Sequence, residues 1–199
     1  QRQMCIRDSS RVDPQGLHVV PFKKPTTEEL DHDFLWRVHK EVPAKGQIAI
    51  FNRSHYEDII AVRVKKIFPD PVWKRRYKHV LDFESMLAEE GTVIIKLFLN
   101  ISKEEQKKRL ESRLQDPDKL WKFCMDDLDD RNRWDEFQTA YQDLIEKTST
   151  PEAPWYIIPA DRKWYRNLVV ARLMVEKLRH LQLSLPTPNF DPASIIIPD

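Results

Sequence analysis

Glycine is scarce in this 199-residue sequence: there are three, Gly16, Gly46 and Gly91. A phosphate-cradling loop of the G-x-x-x-x-G-K type needs glycines so that backbone N–H groups can wrap the anion, and then a lysine to reach it. None of the three lies in such an arrangement. Cysteine is scarcer still, and Cys5 and Cys124 cannot build a disulfide framework or a zinc site. No apolar run approaches the roughly 20 residues of a membrane helix, and the N-terminus lacks the apolar stretch of a secretory signal. The cytoplasm is therefore the expected compartment. Net charge is only +1, so the field of the whole molecule does not gather polyanions. That balance, with aromatics that follow helical periods, argues against a nucleic-acid binder. A hydrophobic content of 41% and a charged content of 33% fit a globular domain with a real core and a busy surface.

The distribution of charge says more than its sum. From Arg63 to His79 the chain carries Arg63, Lys65, Lys66, Lys74, Arg75, Arg76 and Lys78 against Asp70 alone, an imbalance that points to an anion site. Lys103 to Lys122 is also basic, but its mixture with acids reads as a salt-bridged helix face.

His18–Phe22 reads as a short strand. Thr26 and Glu29 have capping-box spacing, and Leu30, Phe34 and Val38 then share one face of a single helix that Pro43 ends. Ile48-Ala49-Ile50-Phe51 suits a buried strand of a parallel sheet. It stops abruptly in Asn52-Arg53-Ser54-His55-Tyr56-Glu57-Asp58. Ligands of open α/β sheets bind beyond the carboxyl ends of the strands; on spacing alone, a strand leaving the core into a solvated loop explains the pattern equally well. Asp70-Pro71 supplies a cap and a tolerated proline for a helix. Trp73, Tyr77, Val80 and Leu87 form its apolar stripe, and Gly91 stops it. Thr92–Leu99 is the clearest strand, interrupted by Lys96, whose stem is expected to snorkel to an edge. Ser102 and Glu105 form a second capping box for a helix to about Leu114. A loop around Asp116-Pro117 precedes one helix over 126–148, with Leu128, Trp134, Phe137, Tyr141 and Leu144 towards the core. Trp155–Pro159 reads as a last short strand before a final helix to about Leu183. A Pro-rich tail over 184–199 follows, where Ile195-Ile196-Ile197 offers a docking segment to a partner subunit. Strands alternating with helices imply a parallel sheet covered on both faces.

The stretch FNRSHYED (51–58), followed by Val62-Arg63-Val64, resembles the second phosphate-site motif of the family-2 polyphosphate kinases. Four later stretches agree in order: Trp73–Tyr77, Ile101–Gln106, Asp116–Lys122 and Pro159–Asn167. The resemblance runs from about Asp13 to about Leu183. It implies an α/β, three-layer fold like that of the P-loop kinases (thymidylate-kinase-like), with a helical lid at about 115–133. It also implies Mg²⁺-dependent phosphoryl transfer between inorganic polyphosphate and AMP or ADP, giving ADP or ATP, with no covalent protein intermediate. A homo-oligomer, dimer or tetramer, is expected, with no membrane and no nucleic-acid partner. Asn52 with His55–Asp58 resembles the branch associated with both AMP and ADP. Against this pattern the first strand and phosphate loop are missing. The expectation is thus an N-terminally truncated, partial kinase domain over 13–183 behind a foreign leader at 1–12. The alternative is an incomplete, catalytically weak or inactive module that binds polyphosphate or nucleotide.

Phosphoryl transfer asks a protein mainly to position groups and stabilise charge. Polyphosphate carries about one negative charge per residue, so cations must converge from several segments before it can meet a nucleotide. Arg53 is the strongest candidate, because a guanidinium matches phosphate oxygens in bidentate geometry and stays charged. Arg63, Lys66, Arg75 and Arg76 would line a channel, and Lys122, Arg131 and Arg133 would close over the transferred group from the lid. For each of these a solvated surface cation is the plain alternative. Asn52, Glu57 and Asp58 are the candidate metal ligands, Mg²⁺ preferring oxygen donors and retained waters; the plain alternative for Glu57 and Asp58 is as helix-start carboxylates facing the positive end of a helix dipole. By resemblance, Asn52, Arg53, Asp58 and Arg131 form the catalytic set. Tyr56, Asp161 and Lys163 join the substrate-binding residues, although Asp161 is equally well placed to cap the last helix.

Overall fold

In the computed structural model, which describes residues 16–184, 189–191 and 195, short parallel strands alternate with helices. The leader expected over 1–12 lies outside the described residues, as does most of the tail expected over 184–199, including Ile196 and Ile197. β1 (Leu17–Pro21) pairs in parallel with β2 (Ile48–Asn52), Leu17 opposite Ile48 and Pro21 opposite Asn52. β3 (Lys96–Asn100) pairs in parallel with β4 (Trp155–Pro159), Lys96 opposite Trp155. The parallel alternation read from the sequence is present. Among the described residues, however, it is divided into two two-stranded sheets, and β2 and β3 are not hydrogen-bonded to each other.

The segment after β1 is two helices and not one. α1 (Thr27–Asp31) opens on the expected capping box: Thr26 Oγ1 accepts from the Glu29 amide at 3.2 Å, and Glu29 Oε2 accepts from the Thr26 amide at 2.8 Å. His32 then runs extended. The Asp33 carboxylate accepts from the Leu35 amide at 2.9 Å, and α2 (Trp36–His39) starts afresh. A short acidic side chain thus bonds the backbone locally and displaces the helix, a competition typical of Asp. Leu30, expected to face inward, is 63% exposed as a result, while Val38 is fully buried.

The main core lies between α3 (Glu57–Val64), α4 (Asp70–Glu89) and α7 (Trp134–Thr148). Ile59, Ile60, Trp73, Tyr77, Val80 and Leu144 fill it. A second cluster of Val20, Phe22, Val38 and Phe83 packs β1 and α2 against the far end of α4. Asp70 does not cap α4. Its carboxylate accepts from Trp73 Nε1 at 3.2 Å and from Lys74 Nζ at 2.8 Å. The helix ends at Gly91, whose φ of +91° permits Thr92 to donate to Leu87 O and Gly91 to Ala88 O, the paired bonds of a left-handed C-terminal cap.

β3 begins at Lys96, later than the sequence suggests, matching its five-residue partner. α5 (Lys103–Gln115) carries half of the anticipated capping box. Ser102 Oγ accepts from the Glu105 amide at 3.1 Å, but the Ser102 amide donates to Asp161 Oδ1 at 2.8 Å, and Glu105 is taken by Arg109. The 115–133 arm consists of a 3₁₀ helix (Pro117–Lys122) and α6 (Asp126–Asn132). The single helix expected over 126–148 breaks at Arg133, whose guanidinium donates to Val64 O at 2.8 Å. α8 (Lys163–His180) closes the fold. No helix of the described residues is long and apolar enough to cross a membrane.

Candidate phosphate site

The chain leaves β2 at Asn52 and turns at once. Arg53 has φ +61°, in the left-handed region that residues with a Cβ seldom adopt. Ser54 Oγ accepts from the Tyr56 amide at 3.4 Å and Ser54 O accepts from the Glu57 amide at 3.0 Å, which launches α3. The turn leaves Arg53 exposed and carries Tyr56 into the core. Strain of this kind costs about 1–3 kcal/mol and persists only where surrounding structure enforces it, most often at functional sites.

Two charged groups flank the turn. On one side stand Arg53, Glu57, Lys65, Asp130 of α6 and Tyr141 of α7. Burial pushes the Glu57 carboxyl above its ordinary range; the Arg53 charge opposes this, and Asp58 and Asp130 add to the rise. Burial and then Glu57 push the Tyr141 hydroxyl up, with the Arg53 charge opposing. Lys65 Nζ pairs with Asp130 at 2.7 Å, which fastens α6 to the end of α3. On the other side, burial raises Asp58, opposed by the charges of Arg37, Arg76 and His55. Arg76 donates to Asp58 O at 2.7 Å, stands 3.6 Å from its carboxylate, and lies over the rings of Phe34 and Phe68.

These directions fix a sign for stability. A carboxyl with a raised pKa holds its proton more tightly in the folded state, so its contribution is complete below the unfolded value and is lost as pH rises through the folded value. Charged Glu57 therefore costs stability at neutral pH. Glu57→Gln is expected to raise Tm at pH 7, by about 2–4 °C for each kcal/mol recovered. The gain should shrink as pH falls towards the ordinary glutamate value of 4.5. Thermal melts at the two pH values check this, and an unchanged Tm at pH 7 would count against a cost of burying Glu57.

The other anticipated cations divide into two sets. Arg63 donates to Asp143 at 2.6 Å and lies over Trp73; Arg131 donates to Lys103 O at 2.7 Å and Gln106 Oε1 at 2.9 Å; Arg133 is held by Val64 O. With Arg76, these four are bonded into the framework. Arg53, Lys66, Arg75 and Lys163 are exposed, and Arg75 Nε donates to Pro71 O on its own helix at 3.1 Å. Lys122 sits half-buried on the arm with its ammonium over the Trp121 ring. Asp161 does not cap α8; its side chain takes the Ser102 amide, and Arg109 donates to Ala160 O and Asp161 O, so β4 and the start of α5 are held together. Tyr56, expected at the substrate, is 5% exposed and donates its hydroxyl to Glu84 at 2.6 Å. Lys96 does not snorkel. It too is 5% exposed and pairs with Glu84 at 2.7 Å.

Lys65 belongs to the basic run visible in the sequence, whereas Arg37, Glu84, Asp130 and, beyond its place in the core, Tyr141 are not visible there as site residues. No local signal marks them, since each meets the turn from a different helix. Lys96 carried a signal, a charge inside an otherwise apolar strand, which only a partner 12 residues away resolves.

A parallel α/β framework, an exposed arginine on a left-handed turn at a strand's carboxyl end, and a helical arm that carries Lys122 and Arg131 fit a phosphotransferase of the P-loop-kinase-like class. The chain belongs to the polyphosphate kinase 2 family, whose model matches residues 6–185. It is 53% identical over 186 residues to an AMP/ADP-polyphosphate phosphotransferase of Meiothermus ruber, covering 94% of this chain and 70% of that protein. It is 39% identical over 189 residues to an ADP-polyphosphate phosphotransferase of Rhodopseudomonas palustris, covering 89% of this chain and 65% of that protein. The fold superposes on the crystal structure of polyphosphate kinase 2 from Arthrobacter aurescens with a TM-score of 0.94 at 46% identity, over 98% of this chain and 69% of that one.

Proposed function

We propose that this chain transfers phosphoryl groups between inorganic polyphosphate and AMP or ADP, with Mg²⁺ as its metal. The observation that carries the reading is Arg53. In a family of polyphosphate kinases, an exposed guanidinium is held on a strained turn at the carboxyl end of β2. There it can grip two oxygens of a transferring phosphoryl group and neutralise charge as that group moves. Lys66 and Arg75 face solvent beyond α3 and on α4, where they would meet the polyanion strand. Lys122 would approach from the arm acting as a lid. Asp161 and Lys163, between β4 and α8, would lie by the nucleotide. Arg63, Arg76, Arg131 and Arg133, being bonded to the framework, would act by holding α3, α4 and the arm in place, with their charge as background.

At the turn the oxygen donors are of the kind a hard divalent cation prefers; among the described residues no three Asp, Glu, His or Cys side chains converge to hold one, so substrate phosphates would complete its shell. The Asn52 amide and Glu57 carboxylate offer oxygens, and Glu57 carries a burial cost that a cation would remove. Asp58 is engaged by Arg76 and would serve as an outer partner to that pair. Bound there, Mg²⁺ would supply charge neutralisation across adjacent phosphates.

The test is ATP formation by this chain with polyphosphate, Mg²⁺ and either AMP or ADP. Steady ATP that stops on chelation by EDTA is expected. A chain that is folded by circular dichroism yet makes no ATP from either nucleotide would overturn the reading for this chain.

A further inference from the structure

Among the described residues, most of the buried polar side chains gather in one assembly behind the phosphate site. Lys96 Nζ donates to Glu84 Oε2 at 2.7 Å, to Thr148 O at 2.6 Å and to the Tyr56 hydroxyl at 3.1 Å. The Tyr56 hydroxyl donates to Glu84 Oε1 at 2.6 Å, and His55 Nε2 lies 3.3 Å from the same oxygen. Thr148 Oγ1 accepts from Trp155 Nε1 at 2.9 Å, and the Trp155 ring leans on Tyr56 with centroids 4.9 Å apart. His55, Tyr56, Glu84, Lys96 and Thr148 are all buried.

Stability alone is a poor reason for such a group. Apolar side chains of similar volume in place of a buried ion pair are often neutral or stabilising. What the assembly adds is direction. It joins the turn after β2 to α4, to the end of α7 and to the first residues of β3 and β4. β2 and β3 share no ladder hydrogen bond, so this is a side-chain link between the two strand pairs. Tyr56 is also the last residue before α3, three positions beyond Arg53, in the turn where Arg53 is held at positive φ.

We propose that Glu84, acting through the Tyr56 hydroxyl, is a positioning residue that sets the turn from which Arg53 engages the phosphoryl group, with Lys96 balancing the buried Glu84 charge. All three are buried. Glu84 fixes the hydroxyl, Lys96 neutralises the Glu84 charge, and the Tyr56 main chain fixes the turn. The kinetic consequence rests on the phosphotransferase reading above; the structural consequence does not.

Tyr56→Phe keeps the ring and removes only the oxygen. In the full chain it should lower kcat about tenfold, because a small misplacement of an orienting group is felt in the transition state, and leave KM for polyphosphate within about twofold. Amide hydrogen exchange at residues 53–57 should quicken about tenfold relative to core amides of α7, the signature of local and not global loosening. The combined Glu84→Gln and Lys96→Met variant removes both charges but keeps an oxygen to accept from Tyr56. Its kcat and exchange at 53–57 should stay within about threefold of the parent, as conservative rescue requires. The proposal is overturned if Tyr56→Phe leaves exchange at 53–57 unchanged, if that exchange rises only in step with α7, or if the double variant loosens the turn as Tyr56→Phe does. If the parent makes no ATP, the function proposed above fails, and the exchange measurements still decide the positioning role.

Discussion

Replacing Arg53 by alanine is expected to lower phosphoryl transfer about 10²- to 10³-fold, the effect of losing a preorganised donor at a developing charge. Stability should change little. The Arg53 side chain is exposed and contributes nothing to the apolar clusters. The backbone separates function from folding further. At φ +61° a residue with a Cβ is strained, and glycine is not. Arg53→Gly should therefore be at least as stable as Arg53→Ala, since relief of about 1 kcal/mol of strain offsets glycine's larger loss of chain entropy. It should be no more active. Arg53→Lys keeps the charge but loses the planar fork, so it should recover only a small part of the rate. Coupled luminescent detection of ATP together with thermal melts gives both readouts. An alanine variant near the parental rate would remove Arg53 from the site.

The parts of this site that were legible in the sequence are those set within one segment. The abrupt change from Ile48–Phe51 to Asn52–Asp58 marked a strand exit, and the structure places both the strand end and the charged turn there. The Thr26–Glu29 box was read correctly because both partners lie within one turn. The Ser102–Glu105 box was half right, because Asp161, 59 residues on, takes the amide that Glu105 would have served. The breaks at Asp33 and Arg133 were missed for a related reason. Apolar spacing continues through both, and what stops the helix is a local side-chain bond in one case and a reach to Val64 O in the other. Basic residues around the motif were visible as a class. Which of them stay exposed depends on long-range partners such as Asp143 for Arg63, and composition carries no record of that. The strained φ at Arg53 is likewise invisible in sequence, since arginine has no preference for that region.

The largest stability loss is expected at Lys96. Lys96→Met fills a similar volume but strands Glu84, which is 3% exposed, beside apolar surroundings. Removing one partner of a buried pair costs about 3–5 kcal/mol, because the remaining charge is uncompensated. The pH dependence distinguishes this from a simple packing defect. In the parent, burial works against the Glu84 charge, but hydrogen bonds from His55, Lys96 and Tyr56 and the Lys96 charge hold its pKa below the ordinary 4.5. Its contribution is thus present above the unfolded value and lost as pH falls through the lower folded value. Without Lys96, burial dominates and the folded pKa moves above the unfolded one. The remaining carboxyl is then tolerated below pH 4.5, where it is protonated in both states, and opposes folding as pH rises through the raised value. The penalty for Lys96→Met should therefore be large at pH 7 and distinctly smaller near pH 4, where the parent also begins to lose the pair. Adding Glu84→Gln should recover most of the loss at pH 7 and flatten the pH dependence, because no buried charge is left. Urea unfolding of the parent, the single variant and the double variant at both pH values measures all of these terms. A penalty independent of pH, or a double variant no more stable than the single at pH 7, would show that Lys96 is held for its packing and not for its charge.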